Sequence, residues 1–365
     1  MTLFLYLVRR FLLIFASLTL GLGVFFALVT MVELTAQLGK SQPGFSDIFG
    51  LTLLRLPGGL YQILPLIVIL STVTMFLSLA RSSELVAIRS AGRAGLAMLL
   101  APALAALLLG IFALAVGNPI VAATNAEYDI ASSRFQGQSR SVLSLGQNGI
   151  WLRQGDNTGQ VVIRADRSNN EGSGFLDVSF LGFGPDTLPT FRIEAQSAEL
   201  MPGEWVIRSA KRWDLRDGDL PEASATFHDV LTLPSNLTVD KVREGFGNPA
   251  TTSIWELPAF IEQLQLAGFS ARRHLMWYHL ELSQPAMLVA MVLLSAAFTM
   301  RPQRFGHTGA MVMIAVGLGF AAYFLRNLVS LLGENGQLPI VAAAYATPAA
   351  LILLALGVVM FMEDG

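Results

Sequence analysis

Six long apolar runs and one polar stretch dominate the pattern of hydrophobic and polar positions along the 365-residue chain. Three runs precede the polar stretch and three follow it: Phe11–Val32, Leu56–Ala80, Ala94–Gly117, Leu282–Met300, Phe305–Leu325 and Gln337–Met362. None of them contains Lys, Arg, Asp or Glu. Each approaches or exceeds the ~20 apolar residues with which a helix crosses ~30 Å of hydrocarbon while satisfying its own backbone hydrogen bonds. The pattern predicts a polytopic membrane protein with a soluble domain between two triplets of helices.

The polar stretch, from about Asn118 to Gly247, alternates apolar and polar residues with a period of two. The clearest runs are Gln160–Ala165, Phe175–Phe183, Phe191–Ala195, Trp205–Ser209 and Ala225–Leu233, and Gly, Pro, Asn and Asp cluster between them. Such alternation and punctuation are typical of antiparallel strands. About seven strands of this kind favour a sandwich or a jelly roll.

Helical periodicity returns in Ser253–Gly268, where Leu257, Phe260, Ile261 and Leu264 follow the spacing of one helix face. Gly268 is a suitable helix stop. The residues that follow mark the water–lipid boundary: Arg272, Arg273, Trp277 and Tyr278.

The predicted fold class is therefore membrane α+β, with six transmembrane helices (3+3) and an antiparallel β-jellyroll-like domain between helices 3 and 4. The predicted domains are 1–117 (helices 1–3), 118–252 (the β domain), 253–279 (an amphipathic connecting helix and interface) and 280–365 (helices 4–6).

Arginines set the predicted orientation. Arg9 and Arg10 precede the first helix. The loop between helices 2 and 3 contains Arg81, Arg89 and Arg93, and the loop between helices 4 and 5 contains Arg301 and Arg304. The opposite short loops hold Lys40, Arg55 and Glu334. Because cytoplasmic loops carry the excess of Lys and Arg, both termini are expected in the cytoplasm and the β domain outside it, in the periplasm of a bacterium with two membranes.

The cytoplasmic loop Arg81–Gly92 has the signals of a short helix over about 82–92. Ser82 or Ser83 can cap its first turn, where Glu84 suits the positive end of the helix dipole. Leu85 and Ile88 share one face, with Arg89 beside them. Exposed apolar residues on such a helix indicate either a groove in a partner or a position on the membrane surface.

The sequence shows no catalytic site, metal site or cofactor site. Gly39–Lys40–Ser41 resembles the end of a phosphate-binding loop, but position 34 is Leu, so the chain lacks a P-loop of its own. No G-x-S-x-G occurs, the chain has no cysteine, and His274 and His279 do not share a helical face.

Three cations lie near the outward membrane boundary: Lys40, Arg55 and Arg326. Arg326 lies inside the fifth apolar helix, where charges are costly and usually functional. These residues are candidates for an anionic lipid headgroup. The alternatives are that they anchor helix ends, or that Arg326 pairs with an acid of a partner subunit.

The whole layout resembles the LptF/LptG permeases of lipopolysaccharide export. The segments that carry the resemblance are Ser83–Gly92, Gly149–Arg153, Asn236–Val242 and Ser253–Pro285. The way Leu282–Thr299 runs into the next loop is closer to the G-type subunit than to the F-type.

The resemblance implies an inner-membrane subunit without catalytic activity in an ATP-driven transporter. Its implied partners are a cytoplasmic LptB-type ABC ATPase dimer that binds the ATP, a homologous LptF-type permease, a single-span LptC-type protein, a periplasmic LptA-type bridge and lipopolysaccharide. No nucleic acid is expected. Residues 82–92 match the coupling helix of such permeases, with Glu84 as its glutamate, Leu85 and Ile88 beside it, and Arg89 as its basic residue. Helices 1 and 5 of such subunits face the partner permease.

Two positions depart from the family pattern. Thr30 stands near a position that carries lysine in G-type subunits, and Glu281 stands where a basic residue commonly precedes the proline of helix 4. These departures concern the residues expected to contact phosphate.

Two other functional classes fit the layout less well. An ion-driven secondary transporter should carry acidic residues within its helices and an internal repeat, and a membrane-anchored β-domain scaffold would not need six helices. Copurification discriminates them, because a permease brings an ATPase and a second permease with it.

Overall fold

The computed structural model describes residues 2–38, 43–90, 95–136, 144–146, 149–156, 159–169, 172–186, 188–215, 222, 225–235, 237–239, 242, 248–299 and 308–363. The chain forms two compact units. The helical unit comprises 1–135, 250–255 and 274–365, and the strand unit comprises 136–249 and 256–273.

The helical unit is built from long helices, most of them apolar along their whole length. In the first part of the chain they are α1 (Thr2–Leu38), α2 (Phe45–Gln62), α3 (Leu64–Arg81), α4 (Glu84–Ser90), α5 (Gly95–Phe112) and α6 (Asn118–Gln136), with a π-helical turn at Ala113–Gly117. In the last part they are α8 (Arg272–Thr299), α9 (Thr308–Glu334) and α10 (Ile340–Glu363). The intervening α7 (Leu257–Leu266) belongs to the strand unit.

Six segments in the described part of the chain are long and apolar enough to cross a membrane. They are Leu3–Leu38, Leu64–Arg81, Met98–Phe135, Arg272–Thr299, Val312–Glu334 and Ile340–Phe361. The strands lie between the third and fourth of these segments in the sequence. The predicted fold class, membrane α+β with an inserted antiparallel sheet, is confirmed.

The helix boundaries differ from the sequence pattern in two places. Helix continues from Gly95 through the π-helical turn to Gln136, although alternation suggested that the β domain begins at Asn118. The second difference lies in the run Leu56–Ala80, which a break at Ile63 divides between the end of α2 and α3, with Pro65 in the first turn of α3. The polar residues of α6 make its sequence resemble that of the soluble domain. They lower the hydrophobicity of the segment but leave its backbone helical.

The core of the helical unit is formed by buried residues of α1, α3, α5, α8, α9 and α10. Gly110 of α5 meets α8 so closely that a Cβ atom there would lie 2.5 Å from Cα of Pro285. Within their most apolar windows, 61% of α3 and 67% of α8 is buried, against 6% of α1 and 17% of α9. The helices α3 and α8 are therefore central, whereas α1 and α9 present most of their apolar surface outward.

The strand unit holds one seven-stranded sheet: β1 (Ser144–Gly146), β2 (Gly149–Asp156), β3 (Gly159–Ser168), β4 (Gly174–Phe183), β5 (Pro189–Met201), β6 (Glu204–Asp214) and β7 (Thr226–Pro234). The spatial order follows the sequence and every pair is antiparallel. The sheet is therefore a meander of hairpins. Alternation predicts such strands but not their neighbours, because pairing depends on the connections.

One face of this sheet is apolar and buried. Ile163, Phe180 and Ile193 lie side by side on β3, β4 and β5 and are fully buried. Trp205 of β6 packs edge to face on Phe175 and Phe180, and its indole N–H donates to Oε1 of the buried Gln154 at 3.1 Å. This cross-strand aromatic packing gives the strand unit a core of its own.

The helix α7 follows the predicted periodicity. Its apolar residues Leu257, Ile261 and Leu264 are buried, and Gly268, which has φ +87°, ends it. The following Phe269 packs edge to face on Phe175, and the amide of Ser168 donates to the carbonyl of Ala267 at 2.9 Å. These contacts join α7 to the sheet.

Candidate functional site

The short helix α4 begins at Glu84, whose carboxylate is bound by side chains of the same protein. Nη1 of Arg10, on α1, lies 3.0 and 2.9 Å from the two carboxylate oxygens of Glu84. The Tyr6 hydroxyl donates to Glu84 at 2.7 Å, and the Ser82 hydroxyl does so at 2.7 Å. Nη2 of Arg10 donates to Ser78 of α3 at 2.6 Å. The residues Tyr6, Arg10, Ser78, Ser82 and Glu84 are called the Glu84 network below.

The Glu84 network stabilises the charged form of its carboxylate. Hydrogen bonds from Ser82 and Tyr6, together with the hydrogen bond and positive charge of Arg10, lower the pKa of Glu84 below its usual range. Glu84 is therefore ionised at neutral pH, and α4 is tied at its first residue to both α1 and α3.

The apolar face of α4 is directed differently from the sequence expectation. Leu85 is 3% exposed and belongs to the core of the helical unit, and Ile88 packs against the same core. The prediction that Leu85 is exposed is therefore wrong, because other residues of the same chain already cover this side chain. Ala87 and Ser90 are exposed instead. The side chain of Arg89 lies outside the described part of the structure.

Of the predicted headgroup cations, Arg55 has partners on neighbouring helices. Its Nη1 lies 3.3 Å from Oε1 of Glu33 on α1, and its guanidinium lies 5.8 Å from the ring centroid of Tyr128 on α6. Leu34, Leu38, Ile48 and Leu51 form an apolar cluster between the same helices. Arg55 thus links α2 to α1 and α6. Lys40 lies outside the described residues.

Arg326, the third candidate, is bound to the backbone of α8. Its Nη2 donates to the carbonyl oxygen of Leu280, the residue before Glu281, at 3.0 Å. Glu281 accepts a hydrogen bond from the Tyr61 hydroxyl, and Asn118 hydrogen-bonds to both side chains. Tyr61, Asn118, Glu281 and Arg326 are called the Glu281 cluster below.

The π-helical turn places Asn118 in this cluster. Oδ1 of Asn118 accepts from the amide of Ile254 at 2.8 Å, and the Trp255 indole N–H donates to the carbonyl of Ala115 at 3.2 Å. A π-helical turn displaces backbone carbonyls from their usual partners and is often found at functional positions. Here the segment 254–255 supplies those partners.

The sequence pattern indicates Glu84 and Arg326 but not most of the groups that bind them. In that pattern Arg10 is a topology signal only, and nothing distinguishes Tyr6, Tyr61 or Asn118. Glu281 was noted as a departure from the family pattern. Its acidic character within an otherwise uncharged run of α8 was the available signal, since buried charges require partners.

The described residues offer little to a metal ion. They contain no group of three or more His, Asp or Glu side chains arranged to hold one. His279 instead packs edge to face on Tyr278 and Tyr345.

Comparison with known proteins gives a match that spans nearly the whole chain. The profile of the family described as "Lipopolysaccharide export system permease LptF/LptG" matches residues 5–362. The chain is also 25% identical over 350 residues to the lipopolysaccharide export system permease protein LptG of Haemophilus influenzae, an alignment that covers 95% of this chain and 93% of that protein. The resemblance found in the sequence is confirmed.

Proposed function

Because the chain belongs to the LptF/LptG family of lipopolysaccharide export permeases, we propose that it is the G-type permease subunit of an ABC-type export complex. The complex extracts lipopolysaccharide from the inner membrane and passes it to a periplasmic bridge. The observation that carries this proposal is the family match over residues 5–362, in a chain with six candidate spans and an inserted antiparallel sheet. The relative in Haemophilus influenzae supports the G-type assignment.

The proposed complex supplies what this chain lacks. A separate cytoplasmic LptB-type ATPase dimer binds and hydrolyses ATP, and an LptF-type permease completes a lipid-accepting cavity. An LptC-type protein and an LptA-type bridge receive the lipid. In this arrangement both termini and α4 are cytoplasmic, and the strand unit is periplasmic, as the distribution of arginines favours.

We propose α4 as the segment that contacts the ATPase. The Glu84 network supports this role because it fixes the first residue of α4 to two long helices. A displacement applied to α4 is then transmitted to α1 and α3 instead of being absorbed by a loose loop. Since Leu85 is covered and Ile88 packs against the core, we propose that the ATPase contacts the remaining surface of α4. Arg89 stays a candidate through the family resemblance.

Contact with the lipid headgroup remains a proposal for Lys40, Arg55 and Arg326. Lipopolysaccharide carries phosphates near its acyl chains, and Arg holds phosphate through paired hydrogen bonds. Arg55 is partly exposed and is bound by one carboxylate at 3.3 Å, an arrangement that a phosphate can replace at modest cost. Arg326 gives one N–H group to the carbonyl oxygen of Leu280, and its Nε has no acceptor among the described residues.

The experiment is copurification and lipid release in a reconstituted complex. Wild-type chain should bring down an ATPase and a second permease and should release lipopolysaccharide when ATP is added. If neither protein copurifies, the permease proposal fails and the ion-driven alternative gains support.

The coupling role of α4 is tested by Glu84→Lys. The new charge faces Arg10, so we expect ATPase association or ATP-driven release to fall at least tenfold, with membrane insertion retained. Glu204→Lys is the matched control, because Glu204 is exposed at a hairpin of the strand unit. Wild-type association and release in Glu84→Lys would contradict the coupling role.

A further inference from the structure

Residues 250–255 belong to the helical unit, although the chain on both sides of them belongs to the strand unit. One part of the strand unit ends at residue 249 and the next begins at residue 256. The residues between these points are called the return segment below. Ordering each backbone residue costs conformational entropy, so a segment this short keeps one position only where specific contacts hold it.

The end of the return segment is bound to the π-helical turn of the third candidate span, Met98–Phe135. The amide of Ile254 donates to Oδ1 of Asn118 at 2.8 Å. The indole N–H of Trp255 donates to the carbonyl oxygen of Ala115 at 3.2 Å. Asn118 is 3% exposed and Ile254 is 5% exposed. Because a buried amide without an acceptor is costly, the hydrogen bond to Asn118 fixes the return segment at this point.

The start of the return segment is bound to the same span. Nδ2 of Asn125 donates to the carbonyl oxygen of Ala250 at 3.2 Å. Asn125 itself packs on α2 so closely that a Cβ atom at Gly58 would lie 2.9 Å from its Oδ1. Positions 115 and 125 are about three turns apart on a helix, so the return segment is held along the span and not at a single point.

We propose that Asn118 and Trp255 are positioning residues that keep the return segment attached to the third span while the transporter changes conformation. Only residue 256 separates Trp255 from the start of α7. A displacement of the span at its π-helical turn therefore reaches the strand unit through this short connection. The role rests on the export function proposed above, and it requires no contact between these two residues and the lipid.

A role in transport and a role in folding alone differ in their effect on lipid release per ATP. If the contacts only stabilised the fold, losing them would lower the amount of assembled complex, and each assembled complex would still release the same lipid per ATP. If they position the return segment, assembled complexes hydrolyse ATP but release less lipid. The decisive quantity is therefore lipopolysaccharide released per ATP hydrolysed, measured on equal amounts of assembled complex.

The test compares two variants in the reconstituted complex. Asn118→Leu removes the acceptor at similar volume, and we expect lipid per ATP to fall about fivefold or more. Trp255→Phe keeps an aromatic ring without the indole N–H, and we expect a fall of about twofold or more. Asn118 also belongs to the Glu281 cluster, so Trp255→Phe is the more selective change. Trp277→Phe is the matched control and should keep the wild-type ratio, because Nε1 of Trp277 has no acceptor among the described residues.

A disulfide between the return segment and the span restores the attachment by another bond. The chain has no cysteine, so Asn118→Cys with Ile254→Cys introduces a single pair, and a disulfide requires Cα atoms within about 7 Å. We expect low lipid per ATP in the reduced pair and recovery on oxidation, with the linked peptides identified by mass spectrometry. This comparison and Trp255→Phe decide the matter when Asn118→Leu fails to assemble.

The positioning role is overturned by any of three results. They are a wild-type ratio in Trp255→Phe together with the reduced cysteine pair, an oxidised pair as inactive as the reduced one, and failure of the disulfide to form. A wild-type complex that hydrolyses ATP but releases no lipopolysaccharide would instead overturn the export function itself.

Discussion

Arg9 and Arg10 are neighbours in the sequence with the same charge, but the structure gives them different environments. Arg9 is exposed, whereas Arg10 binds both carboxylate oxygens of Glu84, 74 residues away, and also Ser78. An ion pair with side chains 23% and 36% exposed stabilises by roughly 0.2–1 kcal/mol. The main effect of this ion pair is therefore to position α4 relative to α1, since it joins the two helices.

This difference predicts unequal effects of two adjacent substitutions. Arg10→Ala should lower ATP-driven lipid release at least about fivefold, because α4 keeps only the Tyr6 hydrogen bond as its polar connection to α1, while Glu84 remains available to the ATPase. Arg9→Ala removes the same charge and should leave release near the wild-type level. The measurement is lipid release by the reconstituted complex at equal protein content. Equal losses in the two variants would mean that only the positive charge near the membrane matters.

At the scale of elements, the sheet register decides which side chains can meet a lipid. The alternation in Gln160–Ala165 and Phe191–Ala195 predicts that Val162 and Ile193 both face inward. The register instead pairs Ile163 with Phe180 and Phe180 with Ile193, all buried, and places Val162 beside Leu181 on the opposite face. Val162 is therefore corrected to the outer face. In Gln160–Ala165, two successive valines precede Ile163, so the period of two is ambiguous by one residue.

The two positions form a matched pair for testing whether the strand unit conducts lipid. A photo-crosslinking residue at 193 should capture lipopolysaccharide during ATP turnover, since this position faces the apolar side of the sheet. The same residue at 162 should capture at least about tenfold less, because adjacent strand positions point to opposite faces. Captured lipid is measured on denaturing gels with and without ATP. Equal capture at both positions, or none along β3 and β5, would exclude the apolar face as a conduit.

At the scale of the whole molecule, the distribution of buried surface shows which helices present their apolar residues outward. Only 6% of the most apolar window of α1 and 17% of that of α9 is buried within the chain, against 67% for α8. Large apolar side chains such as Phe25, Leu28 and Phe324 are more than half exposed. In the proposed complex these two helices are expected to face the partner permease.

The absence of cysteine from the chain allows a direct test. Leu28→Cys in α1 should form disulfide crosslinks with suitably placed cysteines of the second permease in membranes. Leu108→Cys on α5, a position that is similarly exposed, should crosslink at least about tenfold less if α5 faces lipid, since a disulfide requires Cα atoms within about 7 Å. Crosslinked dimers are counted on non-reducing gels. Crosslinking from position 108 but not from 28 would move the interface away from α1.

The sequence by itself determined the properties that depend on neighbours along the chain. Charge-free runs of about 20 residues specify transmembrane helices, and alternation with turn residues specifies strands, because hydrophobic periodicity records which face of an element is buried. Local sequence patterns of this kind also predicted the short helix α4 and the helix end at Gly268, and they revealed the family resemblance. The resemblance also identified Glu84, but not the side chains that bind it.

Only the tertiary structure decided which residues meet across elements. Arg326 and Leu280 are 46 positions apart, and Arg10 and Glu84 are 74 apart. Their contacts depend on how each helix is rotated and how far it is shifted along its neighbour. No local pattern encodes these quantities, because a helix keeps the same periodicity at every rotation and offset. For this reason Leu85 could be predicted as apolar but not as covered, and Arg326 as a cation within a helix but not as a donor to the carbonyl of Leu280.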